Sequence, residues 1–325
     1  MGTTRNVVVT GAAGFIGRGT CERLAAEGAR VTGLDLDPAS ASAVEAVGAS
    51  FSVCDTTDAE AVDSALEGAD AVIHAAAIVS DHGPMRDFIE VNVRGTRNVL
   101  DSARRHGAKS VVHVSSVASW GYEFNRPPTD SAWTRRQGVP YVDTKAASDD
   151  LALRRGAAVV RPGDVYGPRS VPWSIRPLEA MKAGTFRLPG RGEGVMTPVF
   201  GDDLVDLVIR ALDTPAAAGR AFTGFDGTPV TAAEFFGHYA RMLGMDAVPT
   251  SPRPLALAAT WAIEMGAKLT GRPPSLTRTA ITFIERSAPY DTSLAGDLLG
   301  WSQTVGLTEG MTRTEEWFRE TGLLP

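Results

Sequence analysis

The chain has 325 residues, with 32 Lys and Arg against 38 Asp and Glu, a net charge of −6 and 43% hydrophobic residues. That length buries a large core, in one composite domain or two joined lobes, and an acidic chain without a Lys/Arg run excludes a nucleic-acid-binding surface. Two cysteines, Cys21 and Cys54, exclude a disulfide framework and predict a reduced, cytoplasmic chain.

An apolar strand at residues 6–9 runs into VVTGAAGFIG, Val8 to Gly17, and an amphipathic helix follows over 15–27. A glycine turn so soon after Val7–Val9 does not read as a signal peptide. Gly11 permits a sharp turn, Gly14 lets backbone N–H groups approach phosphates, and Gly17 lets the helix pack close to the strand. Phe15 and Ile16 open that helix, whose N-terminus faces the anion of a dinucleotide. The next strand, ARVTGLDLD, ends with Asp35, 18 residues after Gly17, where a carboxylate meets the adenosine ribose hydroxyls. A carboxylate there repels a 2′-phosphate, and Leu36 and Asp37 supply no Arg, so NAD is favoured over NADP. Arg18, beside the last glycine, softens that discrimination. An ordinary strand-to-helix loop with Asp35 as a turn residue is the alternative.

Further on, helices at 39–47, 58–66, 85–106 and 141–154 alternate with strands at 50–54, 71–74, 110–115 and 157–161. Such alternation predicts an α/β doubly wound parallel sheet, the Rossmann arrangement. Regularity fades in the Pro- and Gly-rich 162–194, which marks a substrate-facing lobe. The division expected is a Rossmann domain over 1–165, with 197–224 returning to it, and a smaller, mostly helical C-terminal substrate lobe from 166–196 and 225–325. The apolar stretch 255–269 holds Glu264 and Lys268 and is too short to span a bilayer. It reads as a core helix, or else as one that touches a membrane.

The strongest chemical signal is Tyr141-Val-Asp-Thr-Lys145, with Ser115-Ser116 upstream. Positions i and i+4 share a helix face, so phenol and ammonium can act together. Five Tyr and four Lys in this chain would produce about 0.06 such pairs by chance. A phenol is a poor base at neutral pH, and a neighbouring cation would stabilise its phenolate. Tyr141 could then take an alcohol proton during hydride transfer, or return it to a ketone, while Ser116 holds the substrate oxygen.

With TGAAGFIG, Asp35, VCDTTD, HAAA, NVRGTRNVL, HVSSVASWG, YVDTK, RPGDVYGPR and GDDLVDLVIRAL in this order, the chain resembles the extended short-chain dehydrogenase/reductase family, the NAD-dependent epimerase/dehydratase superfamily. The resemblance implies that Asp55 binds the adenine amino group, that Ala75 and Ala76 line the cofactor, and that Pro162 to Val165 pack on the nicotinamide. It implies that Lys145 also meets the nicotinamide ribose and that Asn92 supports a water-linked proton path to Lys145. Ser116, rather than Ser115, matches the catalytic hydroxyl. It further implies a homodimer formed through the two long mid-chain helices. Bland roles stand beside these: Asn92 as a cap, the alanines as tight packing.

Two departures narrow the substrate. Sugar-nucleotide members commonly place an Arg six residues before the first Asp of the GDD motif, where this chain has Met196. Dehydratases place an acidic pair after the catalytic hydroxyl, where Val117 and Ala118 stand here. The C-terminal part resembles the 3β-hydroxysteroid dehydrogenase branch, which implies an apolar alcohol or ketone, with Trp120, Tyr122, Trp173 and Phe186 as pocket or packing residues. The five His show no metal-ligand spacing, so no metal site is expected. His74 reads as a core or cofactor-facing residue, His82 as a residue near the substrate entrance, and Asp202-Asp203 as a helix cap. The reading is therefore an NAD-dependent oxidoreductase interconverting a secondary alcohol and a ketone on a hydrophobic small molecule. Its rivals are a sugar or sugar-nucleotide epimerase that retains NAD and a non-catalytic cofactor sensor.

Overall fold

Strands β1 (Asn6–Thr10), β2 (Arg30–Asp35), β3 (Ser50–Val53), β4 (Ala71–His74), β5 (Ser110–Val114) and β6 (Ala158–Pro162) pair in parallel in the order 3-2-1-4-5-6, and Ala221–Gly224 adds a seventh strand beside β6. The structure, a computed structural model, describes residues 4–80, 82–122, 136–225, 227–274 and 276–325. Parallel strands covered on both faces need unbroken apolar runs, and β1 shows why. Val7 and Val9 enter one core, with Leu24, Ile73 and Leu207, while Val8 enters the opposite one, with Leu34, Val62 and Leu66. The two-residue period of a strand thus feeds both layers.

The crossover helices are α1 (Phe15–Ala26), α2 (Ala41–Glu45), α3 (Ala59–Ala65), α4 (Met85–Phe88), α5 (Thr96–Arg105) and α6 (Pro140–Arg154). The long helix expected over 85–106 is α4 and α5 joined by a π-helical stretch, Ile89–Gly95, with Asn92 buried inside it. Helix Gly201–Asp213 packs on α1 and against β5 and β6. Its N-cap is Phe200 in an extended conformation, so Asp202 and Asp203 lie in the first turn and do not cap it as expected. Asp203 instead accepts from Thr304 N, Thr304 Oγ1 and Val305 N at 3.0, 2.6 and 3.0 Å, tying the C-terminal segment to this helix.

A second apolar core gathers Tyr166, Leu178, Leu188, Phe235, Tyr239 and Phe318 from the later half of the chain. Ala295, Leu299 and Trp301 pack back on the sheet core. The core reading of 255–269 is corrected: these residues lie in helix Arg253–Thr270, of which only Thr260 is buried, because Leu255, Trp261, Met265 and Leu269 point outward. Cys21 and Cys54 are buried and unbridged, and burial pushes the Cys21 thiol up to about 12. Among the described residues no helix is long and apolar enough to cross a membrane, and no group of acids, His or Cys could hold a metal ion.

Candidate active site

The glycine turn sits at the carboxyl end of β1, where strand order reverses between β1 and β4 and α/β sheets open a crevice. Gly11 has φ +67°, and a Cβ on it would stand 2.7 Å from Ala76 N. A Cβ on Gly17 would stand 2.1 Å from Gly11 O, so helix and turn touch through backbone alone. Gly14 is exposed and meets only Gly11 O, at 3.2 Å. It begins α1 with no side-chain cap and no acid in the first turn, which leaves uncapped N–H donors at a positive helix end. That donor set fits a pyrophosphate.

The flanking residues converge on the same edge. Asp35 Oδ2 accepts from Ala13 N at 2.9 Å and Oδ1 from Leu36 N at 2.8 Å, so this carboxylate braces the glycine turn. Asp55 closes its own turn, accepting from Thr57 N and Oγ1, both at 2.8 Å. Ala75 N donates to Thr10 O at 3.1 Å and Ala76 N to Thr10 Oγ1 at 3.3 Å, which holds the β4 exit against β1. Pro162 ends β6 opposite Gly224, and Val165 pairs with Val199 in a short parallel ladder.

Ser116 and Tyr141 are brought together. Ser116 leaves β5 and caps a short 3-10 turn, its Oγ accepting from Ala118 N at 3.1 Å. Tyr141 opens α6, its phenol beside the Ser116 hydroxyl. Burial pushes the phenol pKa up and the Ser116 hydroxyl opposes it. Lys145, one turn on and 3% exposed, is pushed down to about 8 by burial, with Asp149 opposing. Its Nζ donates to Val114 O at 2.9 Å. Asn92 latches the π-helical stretch to its surroundings: Oδ1 accepts from Ile78 N at 2.7 Å, and Nδ2 donates to Ile78 O and to Thr144 Oγ1, both at 3.1 Å.

Other singled-out residues fall elsewhere. His74 lies between Thr10 Oγ1 at 2.7 Å and Thr96 Oγ1 at 2.9 Å and stacks on His113, so it is a core residue; burial lowers its pKa to about 3. His82 lines a cavity of about 560 Å³ with Glu264, Lys268, Arg272 and Thr277. Trp120 is 2% exposed and stacks on Tyr290, and Phe186 packs on Phe236. Tyr122, next to Gly121, meets Phe283 edge-on at 4.8 Å, and Phe283 meets Trp173 at 5.5 Å. Met196 is fully buried in the second core, near Arg286.

Sequence reasoning missed the ion pair behind the site, Asp149 with Arg161, to which Ser115 also donates. Two signals were available: Asp149 falls one turn after Lys145 on the same helix face, and Arg161 is a charge inside an apolar strand.

A profile of the NAD dependent epimerase/dehydratase family matches residues 7–223. The chain is 32% identical to a UDP-glucose 4-epimerase of Mycolicibacterium smegmatis, covering 96% of this chain and 98% of that protein. It is 28% identical to a 2-alkyl-3-oxoalkanoate reductase of Shewanella oneidensis, over 94% and 84% of the two chains. Among solved structures, a UDP-glucose 4-epimerase of Thermotoga maritima superposes with a TM-score of 0.77 at 23% identity, over 97% and 99%, a likeness of fold. With the profile spanning most of the chain and a relative aligned almost end to end, this protein belongs to the NAD-dependent epimerase/dehydratase family of short-chain dehydrogenases/reductases, and NAD is its cofactor.

Proposed function

We propose that the chain is an oxidoreductase, with NAD preferred over NADP, that interconverts a secondary alcohol and a ketone on a hydrophobic small molecule. The observation that carries this reading is the aromatic wall of Tyr122, Phe283 and Trp173 beginning six residues beyond Ser116. An apolar Met196, fully buried, replaces the Arg of sugar-nucleotide members, and one relative is named for reducing an oxoalkanoate.

In this account Ser116 holds the substrate oxygen and Tyr141 passes its phenolic proton to it as the ketone is reduced. Burial keeps that phenol protonated, which suits an acid in this direction. Lys145, poised at about 8, and Asn92 restore the proton through water. NAD, when bound, supplies the hydride acceptor and its reduced form the donor. Gly11, Gly14, Phe15, Ile16 and Gly17 would hold the pyrophosphate, Asp35 the adenosine ribose, Asp55 the adenine, Lys145 the nicotinamide ribose, and Ala75, Ala76, Pro162 and Val165 the walls. We assign residues 1–165 and 197–224 to the cofactor-binding domain and 166–196 and 225–325 to the substrate lobe, and expect a homodimer through the mid-chain helices.

The second reading, an epimerase retaining NAD, is favoured by the 32% identity to a UDP-glucose 4-epimerase. Incubation of the purified protein with NADH and apolar ketones, and separately with UDP-sugars, distinguishes them. Net NADH consumption with a ketone is expected; sugar epimers formed without net cofactor change would replace this reading with the second.

A further inference from the structure

Helix Arg253–Thr270 turns its apolar stripe away from the protein. Among the described residues, ten large hydrophobic side chains are exposed, and five of them, Leu255, Trp261, Met265, Leu269 and Leu276, lie on this helix or just beyond it. Leu255, Ala258, Ala262, Met265 and Leu269 recur every three or four residues, so they form one continuous line. At 1.5 Å per residue the line is about 21 Å long. Residues 253–278 contain Arg253, Lys268, Arg272 and Arg278 against Glu264 alone, a net +3, while the whole chain carries −6 and the remainder therefore −9. Glu264 is engaged by Arg278 at 2.8 Å and Arg253 by Glu285 at 2.8 Å, whereas Lys268 and Arg272 are exposed at the C-terminal end. The 560 Å³ cavity lined by His82 opens at that same end, with Ala267, Lys268, Gly271 and Arg272 in its wall.

We propose that this helix face docks on the surface of an anionic lipid bilayer, lying in the plane of the interface, with the cavity mouth toward the lipid. An apolar face bearing Trp and flanked by Lys and Arg on an otherwise acidic protein is the pattern that lies in a headgroup layer. Two copies packed through this face would set one +3 segment against another in either orientation, which disfavours a second copy as the occupant. Such docking would let an apolar molecule pass between bilayer and cavity without crossing water.

The test is flotation of the full chain with vesicles of phosphatidylcholine containing 30% phosphatidylglycerol (roughly one lipid in three anionic), beside vesicles of phosphatidylcholine alone. At least tenfold stronger partition to the anionic vesicles is expected, falling with salt. Trp261→Glu with Leu269→Glu should abolish it, and Lys268→Glu with Arg272→Glu should reduce it at least tenfold. These exposed substitutions leave the fold intact, checked by an unchanged thermal midpoint. Absence of binding by the wild type, equal binding to both vesicles, or variants that bind like the wild type would overturn the proposal. So would a native mass that falls by half in Trp261→Glu/Leu269→Glu, which would assign the face to a second copy.

Discussion

Asp149 and Arg161 form an ion pair closed to solvent, with Nε to Oδ2 at 2.8 Å and Nη2 to Oδ1 at 3.0 Å, and Ser115 donates to the same carboxylate at 2.9 Å. The pair joins α6, which carries Tyr141 and Lys145, to β6, Ser115 ties it to the β5 exit beside Ser116, and the Arg161 guanidinium also lies 4.5 Å from the Trp120 ring. Breaking it strands a buried charge. Asp149→Ala should therefore cost about 3–5 kcal/mol, read as a lowered urea midpoint. The double replacement Asp149→Leu/Arg161→Met should recover most of that loss, because no charge is left unpaired.

The three glycines of the turn should respond differently. Gly17→Ala places a methyl 2.1 Å from Gly11 O and Gly11→Ala forces a left-handed φ as well as a clash with Ala76, so both should lose stability, by about 1–3 kcal/mol. Gly14→Ala meets only one atom at 3.2 Å and should fold normally while binding NAD at least tenfold more weakly. Calorimetric titration with NAD, beside thermal melts, separates the two effects.

Asp35 should govern the choice between cofactors. Its carboxylate is fixed by Ala13 N on one oxygen and Leu36 N on the other, and Asn keeps an acceptor for one of these two bonds while removing the charge that repels a 2′-phosphate. Asp35→Asn should shift the ratio of kcat/KM for NAD over NADP at least tenfold toward NADP. An unchanged ratio would assign Asp35 to the turn alone.

Stability should fall on mild acidification. Burial holds His74 at about 3 and His113 well below its usual value, so the unfolded chain takes up protons below about pH 6.5 that the folded chain refuses. The sign follows: the histidine contribution is complete above that pH and is lost as pH falls, by up to about 1.4 kcal/mol per pH unit for each His. Urea midpoints should be near their plateau at pH 7 and decline toward pH 5, while above pH 7 Lys145, held at about 8, adds a separate rise with pH.

What could be read from the sequence was whatever local chemistry dictates. Strand patterns such as VVVT and AVIH, the glycine spacing and the Tyr141 to Lys145 interval depend on near neighbours, and those elements lie within a residue or two of their expected bounds. What escaped depends on distant partners. Asp203 reads as a cap until Thr304 and Val305, a hundred residues away, claim it. The stretch 255–269 reads as core because composition does not say whether a neighbour exists to cover it. His74 is ambiguous in sequence, and only Thr10, Thr96 and His113 around it make it a core residue.

Tyr141→Phe tests the central claim most directly, since it removes only the hydroxyl that Ser116 engages. Nicotinamide absorbance is followed with NADH and an apolar ketone, and NAD binding is measured on the same protein by calorimetry. The account predicts that turnover falls at least a thousandfold, on the order expected for loss of a general acid, while the affinity for NAD changes less than about threefold. Turnover within tenfold of the wild type would contradict it.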